Sequence, residues 1–450
     1  MKIISTLWKN GVAVTVEEEK TFQPDESEAE ESIVNLYPQV HFQKIIGFGG
    51  AFTESTGYVL SRMPKEKVKE IIDGYFGPNG LRYSIGRTPI DSCDFALGNY
   101  SAVPEETNIE TAVFDLSRDE TYILPVVAAA REAAGKDIPL FMAPWSPPSY
   151  MKTNGQKNGG GKLRPECRIQ WAEYLSRYIE EYQKRGFSVC SISVQNEPKA
   201  IQKWDSCVYT AQEESEFAWE YLAPSLQRHG LNVPIMICDH NKERLFERIE
   251  TILSDKHSSE AVGVVGFHWY SGDHFEAVEL VHKQYPDKTL IFSEGCVEYS
   301  KFGADFQLKN AQMYAHDMIG NLNAGMNAFI DWNLVLDSKG GPNHVGNLCD
   351  APVMCDLENK NFERKLSYQY IGHFSKYIDC GAERIGMTRF TDRLEISAFQ
   401  NPDGSLAVVV LNRGEEEIQF LLRLNGRVCP VLSKAESIST IIMEQKYEMV

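Results

Sequence analysis

Ser191-Ile192-Ser193-Val194-Gln195-Asn196-Glu197-Pro198 is an apolar strand that stops on an amide, a carboxylate and a proline. Small and apolar residues in an unbroken run suit a strand covered on both faces. Proline at its end cannot continue a central strand. A carboxylate at such a place costs several kcal/mol if it is buried without a partner, so it marks a position with a task. Thr289-Leu290-Ile291-Phe292-Ser293-Glu294-Gly295 repeats the design and closes on Glu294. Working outward from these two, eight apolar strand candidates appear at residues 45–52, 81–90, 138–147, 189–198, 233–241, 264–271, 289–297 and 328–337. Amphipathic helical patterns lie between them. In residues 169–184, Trp171, Leu175, Tyr178, Ile179 and Tyr182 share one face. Eight such alternations predict an α/β fold, a (β/α)8 TIM barrel. A doubly wound sheet is the rival, and its phosphate-binding turn is missing. Gly47-Phe48-Gly49-Gly50 has Phe52 where the third glycine belongs, and Asn158-Gly159-Gly160-Gly161-Lys162 lacks the Ser or Thr of a P-loop.

The chain ends read differently. Residues 12–16 and 33–36 are β-like, and residues 394–399 alternate at period two. Asn401-Pro402-Asp403-Gly404 is a hairpin turn leading into the apolar run 406–411. Neither end has enough strands for a core of its own, so the two are expected to share a β-sandwich. The expected organisation is residues 1–44 as N-terminal sandwich strands, 45–378 as the barrel and 379–450 as the C-terminal part of the sandwich. The acidic stretch 17–32 with Pro24 is expected to be a solvated loop or edge and not an interaction tail.

Composition narrows the function. The 450 residues carry 45 Lys and Arg against 63 Asp and Glu, a net charge of −18. That disfavours nucleic acid as a partner, because binding it requires basic side chains that displace counterions. It disfavours anionic lipid surfaces for the same reason. No apolar run approaches the roughly 18 residues that span a bilayer, so no integral membrane contact is expected. The first residues carry no apolar leader segment, which makes a cytoplasmic location the expectation. The 10 cysteines include no CxxC pair, so neither a zinc ribbon nor a redox motif is written here, and reduced thiols are expected. Oligomeric state is left open.

In a barrel of this kind the chemistry sits at the C-terminal ends of the strands. The polar residues ending the eight runs are Glu54, Arg87, Asp94, Trp145, Asn196, Glu197, Asp239, His268, Tyr270, Glu294, Asp331, Trp332 and Asn333. Carboxylates, amides and aromatics with few cations suit a neutral polyhydroxylated ligand. Glu197 and Glu294 end strands four and seven, roughly across the barrel mouth from each other. Two facing carboxylates are the equipment for glycoside hydrolysis, one protonated and one ionised. Arg87 is the natural buried partner for one of them. His268 has no second His at i+2 or i+4, so it reads as a supporting residue and no metal is expected. Cys296, near Glu294, is given no role.

These residues carry a resemblance. Gly47-Phe48-Gly49-Gly50-Ala51, Ser92-Cys93-Asp94-Phe95, Ala143-Pro144-Trp145-Ser146-Pro147-Pro148, Asn196-Glu197-Pro198, His268-Trp269-Tyr270, Ser293-Glu294, Asp331-Trp332-Asn333-Leu334 and Gly340-Gly341-Pro342-Asn343 follow in order the pattern of glycoside hydrolase family 30. The chain resembles the glucosylceramidase branch of that family. The resemblance implies a retaining mechanism by double displacement on a β-D-glucoside, without cofactor. It implies Glu197 as acid/base and Glu294 as nucleophile, with Arg87, Asn196 and Tyr270 around them. It implies Asp94, Trp145, Trp332 and Asn347 as holders of the sugar. The stretch Lys199-Ala200-Ile201-Gln202-Lys203-Trp204-Asp205-Ser206-Cys207 and His344 depart from the animal form. Both lie on the leaving-group side. β-1,6-Glucanase, β-xylosidase and β-fucosidase activities of the same family therefore stay open, as does a non-catalytic carbohydrate-binding protein.

Overall fold

A computed structural model describes residues 1–28, 30–303 and 306–444. Eight parallel strands close into a barrel: Gly47–Ala51, Ile85–Ile90, Leu140–Pro144, Val189–Ser193, Ile235–Asn241, Val262–His268, Thr289–Glu294 and Ala328–Asp331. The eighth returns to the first with Ala328 opposite Gly47 and Asp331 opposite Gly50. Glycine is required in the first strand. A Cβ on Gly49 would stand 2.1 Å from the carbonyl oxygen of Ile85 on the neighbouring strand. The helix Arg168–Lys184 buries Trp171, Leu175, Tyr178, Ile179 and Tyr182, as its period predicts.

One strand candidate is corrected. The run 328–337 splits, because Asn333 turns the chain at φ 63° and its side chain accepts a hydrogen bond from Thr53 Oγ1 at 2.7 Å. Val335–Asp337 then leaves the barrel and joins Val353–Asp356 and Asn361–Arg364 in a small three-stranded sheet.

Both chain ends do share one sheet system of ten strands. Lys2–Lys9 pairs with Ser437–Met443, and Ile33–Lys44 with Glu383–Arg389, both antiparallel. Glu395–Gln400 and Leu406–Asn412 form the hairpin that the Asn-Pro-Asp-Gly turn predicts. The fold encloses an apolar core that includes Val34, Leu36, Ile385, Ile396, Val408, Phe420 and Ile441. The acidic stretch is part loop and part sheet edge, as expected. Val12–Glu19 stays in the sheet, paired with Lys2–Lys9, and Lys2 Nζ meets Glu17 at 2.8 Å. Ladder hydrogen bonds outweigh its polarity there. Within the ranges expected from sequence, residues 29, 304, 305 and 445–450 lie outside the described residues.

The sandwich is seated on the barrel through His373, on the helix Leu366–Ser375. Thr440 Oγ1 donates to the His373 carbonyl at 2.8 Å, so it accepts from Nδ1 at 2.9 Å. Nε2 is then the acceptor for Thr6 Oγ1 at 2.9 Å. Burial, with Lys376 nearby, pushes this imidazole down to about 3. The unfolded chain binds a proton at this His from about pH 6.5 downward, while the folded chain refuses it until about 3. Stability is therefore full above the unfolded value and falls with pH across that window, by up to about 1.4 kcal/mol per pH unit. Urea unfolding at pH 7 and pH 4.5 is expected to show a smaller loss for His373→Gln than for the parent. Parallel losses would assign the acid sensitivity elsewhere.

Candidate active site

The ends of the barrel strands carry a cavity of about 210 Å³, lined among others by Asp94, Trp145, Asn196, Glu197, Tyr270, Glu294, Trp332 and Asn347. Its walls are built from the strand ends outward. The Glu197 amide donates to the carbonyl of Asp239 at 2.9 Å and that of Asn196 to Pro144 at 2.9 Å. Strands three, four and five are thus tied together at the mouth. Glu197 and Asp239 both have φ 46°, a left-handed conformation that costs on the order of 1–3 kcal/mol in a residue with a side chain. The surrounding hydrogen bonds hold them there.

Arg87 organises the floor. It is fully buried, and its guanidinium donates to the carbonyl of Ser293 at 2.6 Å, to Asn196 Oδ1 at 2.8 Å and to Asp239 Oδ2 at 2.9 Å. It stands 3.4 Å from Glu294 Oε2. Asp239 also accepts from Ser293 Oγ at 2.6 Å and meets His268 Nε2 at 3.0 Å. Burial opposes its charge, but Arg87 and His268 hold it well below the usual carboxylate range. Sequence reasoning placed Asp239 at a strand end without giving it a task. Its task is to anchor Arg87 and His268.

The two glutamates face each other. One oxygen of Glu197, one oxygen of Glu294 and one ring nitrogen of His268 lie within 4.8 Å of one another. His268 Nδ1 is 3.3 Å from Glu197 Oε1 and 4.0 Å from Glu294 Oε1. Tyr270 donates its hydroxyl to Glu294 Oε1 at 3.1 Å. Burial disfavours charge on His268, yet Glu294, Asp239 and Glu197 together push it up to about 9. The imidazolium in turn overrides the burial of Glu197 and lowers it. Burial pushes Glu294 up to about 7, against the pull of His268 and Arg87 and with the help of Glu197. Burial and mutual repulsion thus favour a single proton shared by the pair.

Asp94 faces them. Asn343 Nδ2 donates to its Oδ2 at 3.1 Å, and Asn347 is also hydrogen-bonded to it. Trp145 and Trp332 reach the cavity too, but not as open platforms. They stack on each other, centroids 5.1 Å apart at 18°, with the Arg87 guanidinium 5.1 and 5.8 Å from the two rings. One face of each indole is thus spent on the other. Three strand-end residues are turned away. Glu54 is clamped by Arg118 at 2.6 and 2.5 Å, Asp331 accepts from Tyr314 at 2.7 Å, and Asn333 serves the turn described above. The outer rim adds Gln202, Trp204, His240, Asn241, Glu298 and Lys301. His240 and Asn241 end the fifth strand, whereas Gln202, Trp204, Glu298 and Lys301 lie beyond the strands, where strand periodicity carries no signal.

The comparisons agree with this architecture. Residues 45–378 match the glycosyl hydrolase family 30 TIM-barrel domain and residues 381–441 the family 30 beta sandwich domain. The chain belongs to glycoside hydrolase family 30. It is 31% identical to the lysosomal acid glucosylceramidase of Mus musculus over 87% of this chain and 79% of that one. The crystal structure of SrfJ from Salmonella typhimurium superimposes with a TM-score of 0.93 at 37% identity, covering 99% and 100% of the two chains. An endo-β-1,6-glucanase structure gives a TM-score of 0.88 at 26% identity, covering 98% and 99%. Membership makes the protein a glycoside hydrolase of a retaining family. A carboxylate separation of a few ångströms is the geometry retention requires, whereas inversion needs room for a water, about 6.5–9.5 Å.

Proposed function

We propose that the protein hydrolyses β-D-glucosides as a glucosylceramidase-type β-glucosidase, with Glu294 as nucleophile and Glu197 as acid/base. The observation that carries this reading is the pair of carboxylates within 4.8 Å at the wall of a cavity that Asp94 and Asn347 also line. At about 210 Å³ the cavity is smaller than the roughly 300–1,000 Å³ of a drug-sized ligand site, which favours one sugar ring. The roles follow from the surroundings. Glu294 has the donors that steady an anion, Tyr270 and Arg87, and its side chain is 8% exposed against 12% for Glu197. Glu197 opens toward the rim, where a leaving group departs.

Glu294 attacks the anomeric carbon while Glu197 gives its proton to the glycosidic oxygen. Glu197, now ionised, then takes a proton from water, which releases glucose from the ester with the β configuration restored. This needs the shared proton on Glu197. The pair titrates as a unit. Positive charge developing at the anomeric carbon in the transition state stabilises the Glu294 anion and so favours the reactive placement. The lysosomal relative's name supports ceramide as an aglycone, and with it a part in sphingolipid turnover. A cytoplasmic location belongs to the same proposal.

Two tests follow. NMR of the first-formed sugar from aryl β-glucoside, β-xyloside and β-fucoside, glucosylceramide and β-1,6-glucan is expected to show β-glucose from the glucosides. Turnover of xylosides or fucosides alone would overturn the sugar. The pH profile of kcat/KM is expected to fall above about 7, as the shared proton leaves the pair, and to fall again below the usual carboxylate range, as Glu197 takes a second one. A rate that keeps rising to pH 9 would exclude a shared-proton acid.

A further inference from the structure

The sugar cavity has two thiols in its wall. Cys296 stands two residues beyond Glu294, and Cys349 two residues beyond Asn347; they are 1% and 0% exposed, and both line the cavity. Both thiols belong to one buried cluster and interact with each other. The backbones that carry them run side by side. Glu298 and Cys349 form an antiparallel bridge, the Tyr299 amide donates to Leu348 at 3.1 Å and that of Asp350 to Val297 at 2.8 Å. Each sulfur also touches the site. Cys296 Sγ is 3.5 Å from the Tyr270 hydroxyl, the group that donates to Glu294. Cys349 Sγ donates to the Asn347 carbonyl at 3.7 Å.

Apolar packing accounts for a buried cysteine but not for this pairing. Two thiols of one buried cluster, carried on paired backbones and reached from one cavity, are placed for oxidation. We propose that Cys296 and Cys349 are a reversible dithiol–disulfide site in the cavity wall, and that its oxidised form is inactive. With hydrogen peroxide as oxidant, one thiolate attacks a peroxide oxygen and releases hydroxide, giving a sulfenic acid. The second thiolate attacks that sulfur, the S–S bond forms, and water leaves. Together, two thiols and one peroxide give one disulfide and two waters. Closing the S–S bond draws Cys296 Sγ from Tyr270 and Cys349 Sγ from Asn347, and so disturbs groups on either side of the sugar. Burial pushes Cys296 well up and, with neighbouring carboxylates, raises Cys349, so the reaction is slow at neutral pH and accelerates as the thiolate forms.

The test treats the full chain with peroxide and follows two readouts. Non-reducing peptide mapping is expected to find the Cys296 and Cys349 peptides linked. Aryl-glucosidase activity is expected to fall in step and return with dithiothreitol. The mapping stands apart from the glucosidase reading, so failure of one is distinguishable from failure of the other. The rate of linkage is expected to rise about tenfold per pH unit between pH 6 and 8, and to drop severalfold with a saturating cavity ligand. Cys349→Ser and Cys296→Ser, each compared with its own untreated activity, are expected to lose reversible inactivation. Full oxidation without the linkage would overturn the proposal. So would dithiothreitol-reversible inactivation that persists unchanged in both variants.

Discussion

Glu294→Gln is expected to lower kcat on an aryl β-glucoside by a thousandfold or more, about 4 kcal/mol of transition-state stabilisation. The amide keeps the shape of the carboxyl and can still meet Tyr270 and Arg87, so the fold should survive and the loss should reflect chemistry. An amide oxygen is too weak a nucleophile to displace even a good leaving group. The deficit is therefore expected to be the same for substrates with good and poor leaving groups. Glu294→Ala adds a directional check, because it opens space on the face where Glu294 attacks. A small anion such as azide entering there displaces the aglycone once and gives the α-glucosyl product. Intact protein mass after exposure to a mechanism-based fluoroglucoside is expected to show one added sugar on the parent and none on the glutamine variant. Turnover near the parent's, or a label on another residue, would remove Glu294 from the proposed role.

Much of this site was legible in the sequence because strand ends were. A strand that is apolar along its length and polar at its last residue announces its direction, so Glu197 and Glu294 could be put at one mouth before any contact was known. The hairpin at Asn401 to Gly404 was legible for a similar reason, since turn residues act locally. What stayed hidden depends on tertiary neighbours. Asp239 looked like one more strand-end carboxylate until Arg87 and His268 met on it. Trp145 and Trp332 were legible as strand-end aromatics, but they belong to strands far apart in sequence, and their stacking on each other was not. The split of residues 328–337 turns on one left-handed asparagine held by Thr53, and no pattern in the run itself marks it. The cavity rim follows loop paths, as does the contact between Cys296 and Cys349, and hydrophobic periodicity is silent about loops.

Glu197→Ala separates the acid from the nucleophile by the kind of loss it causes. The first step needs proton donation in proportion to the basicity of the departing oxygen. A nitrophenolate leaves almost unaided, while a sugar or lipid alcohol does not. The second step needs Glu197 as a base whatever the aglycone was. With a good leaving group the variant is expected to form the glycosyl-enzyme at close to the parent rate and then stall, giving a burst followed by slow turnover. With a poor leaving group, formation itself should fall by about 10²–10⁴-fold. Azide should restore turnover of the good substrate, because an anion attacking the ester needs no base, and the product should be the β-glucosyl azide. His268 makes the same experiment sharper. Its imidazolium lies 3.3 Å from Glu197 and lowers that carboxyl, so removing Glu197 leaves His268 with Asp239 and Glu294 alone. Loss of the alkaline limb of the pH profile in Glu197→Ala would place the titrating acid at Glu197. Retention of that limb, with equal losses on good and poor leaving groups, would mean that the proton comes from elsewhere in the site.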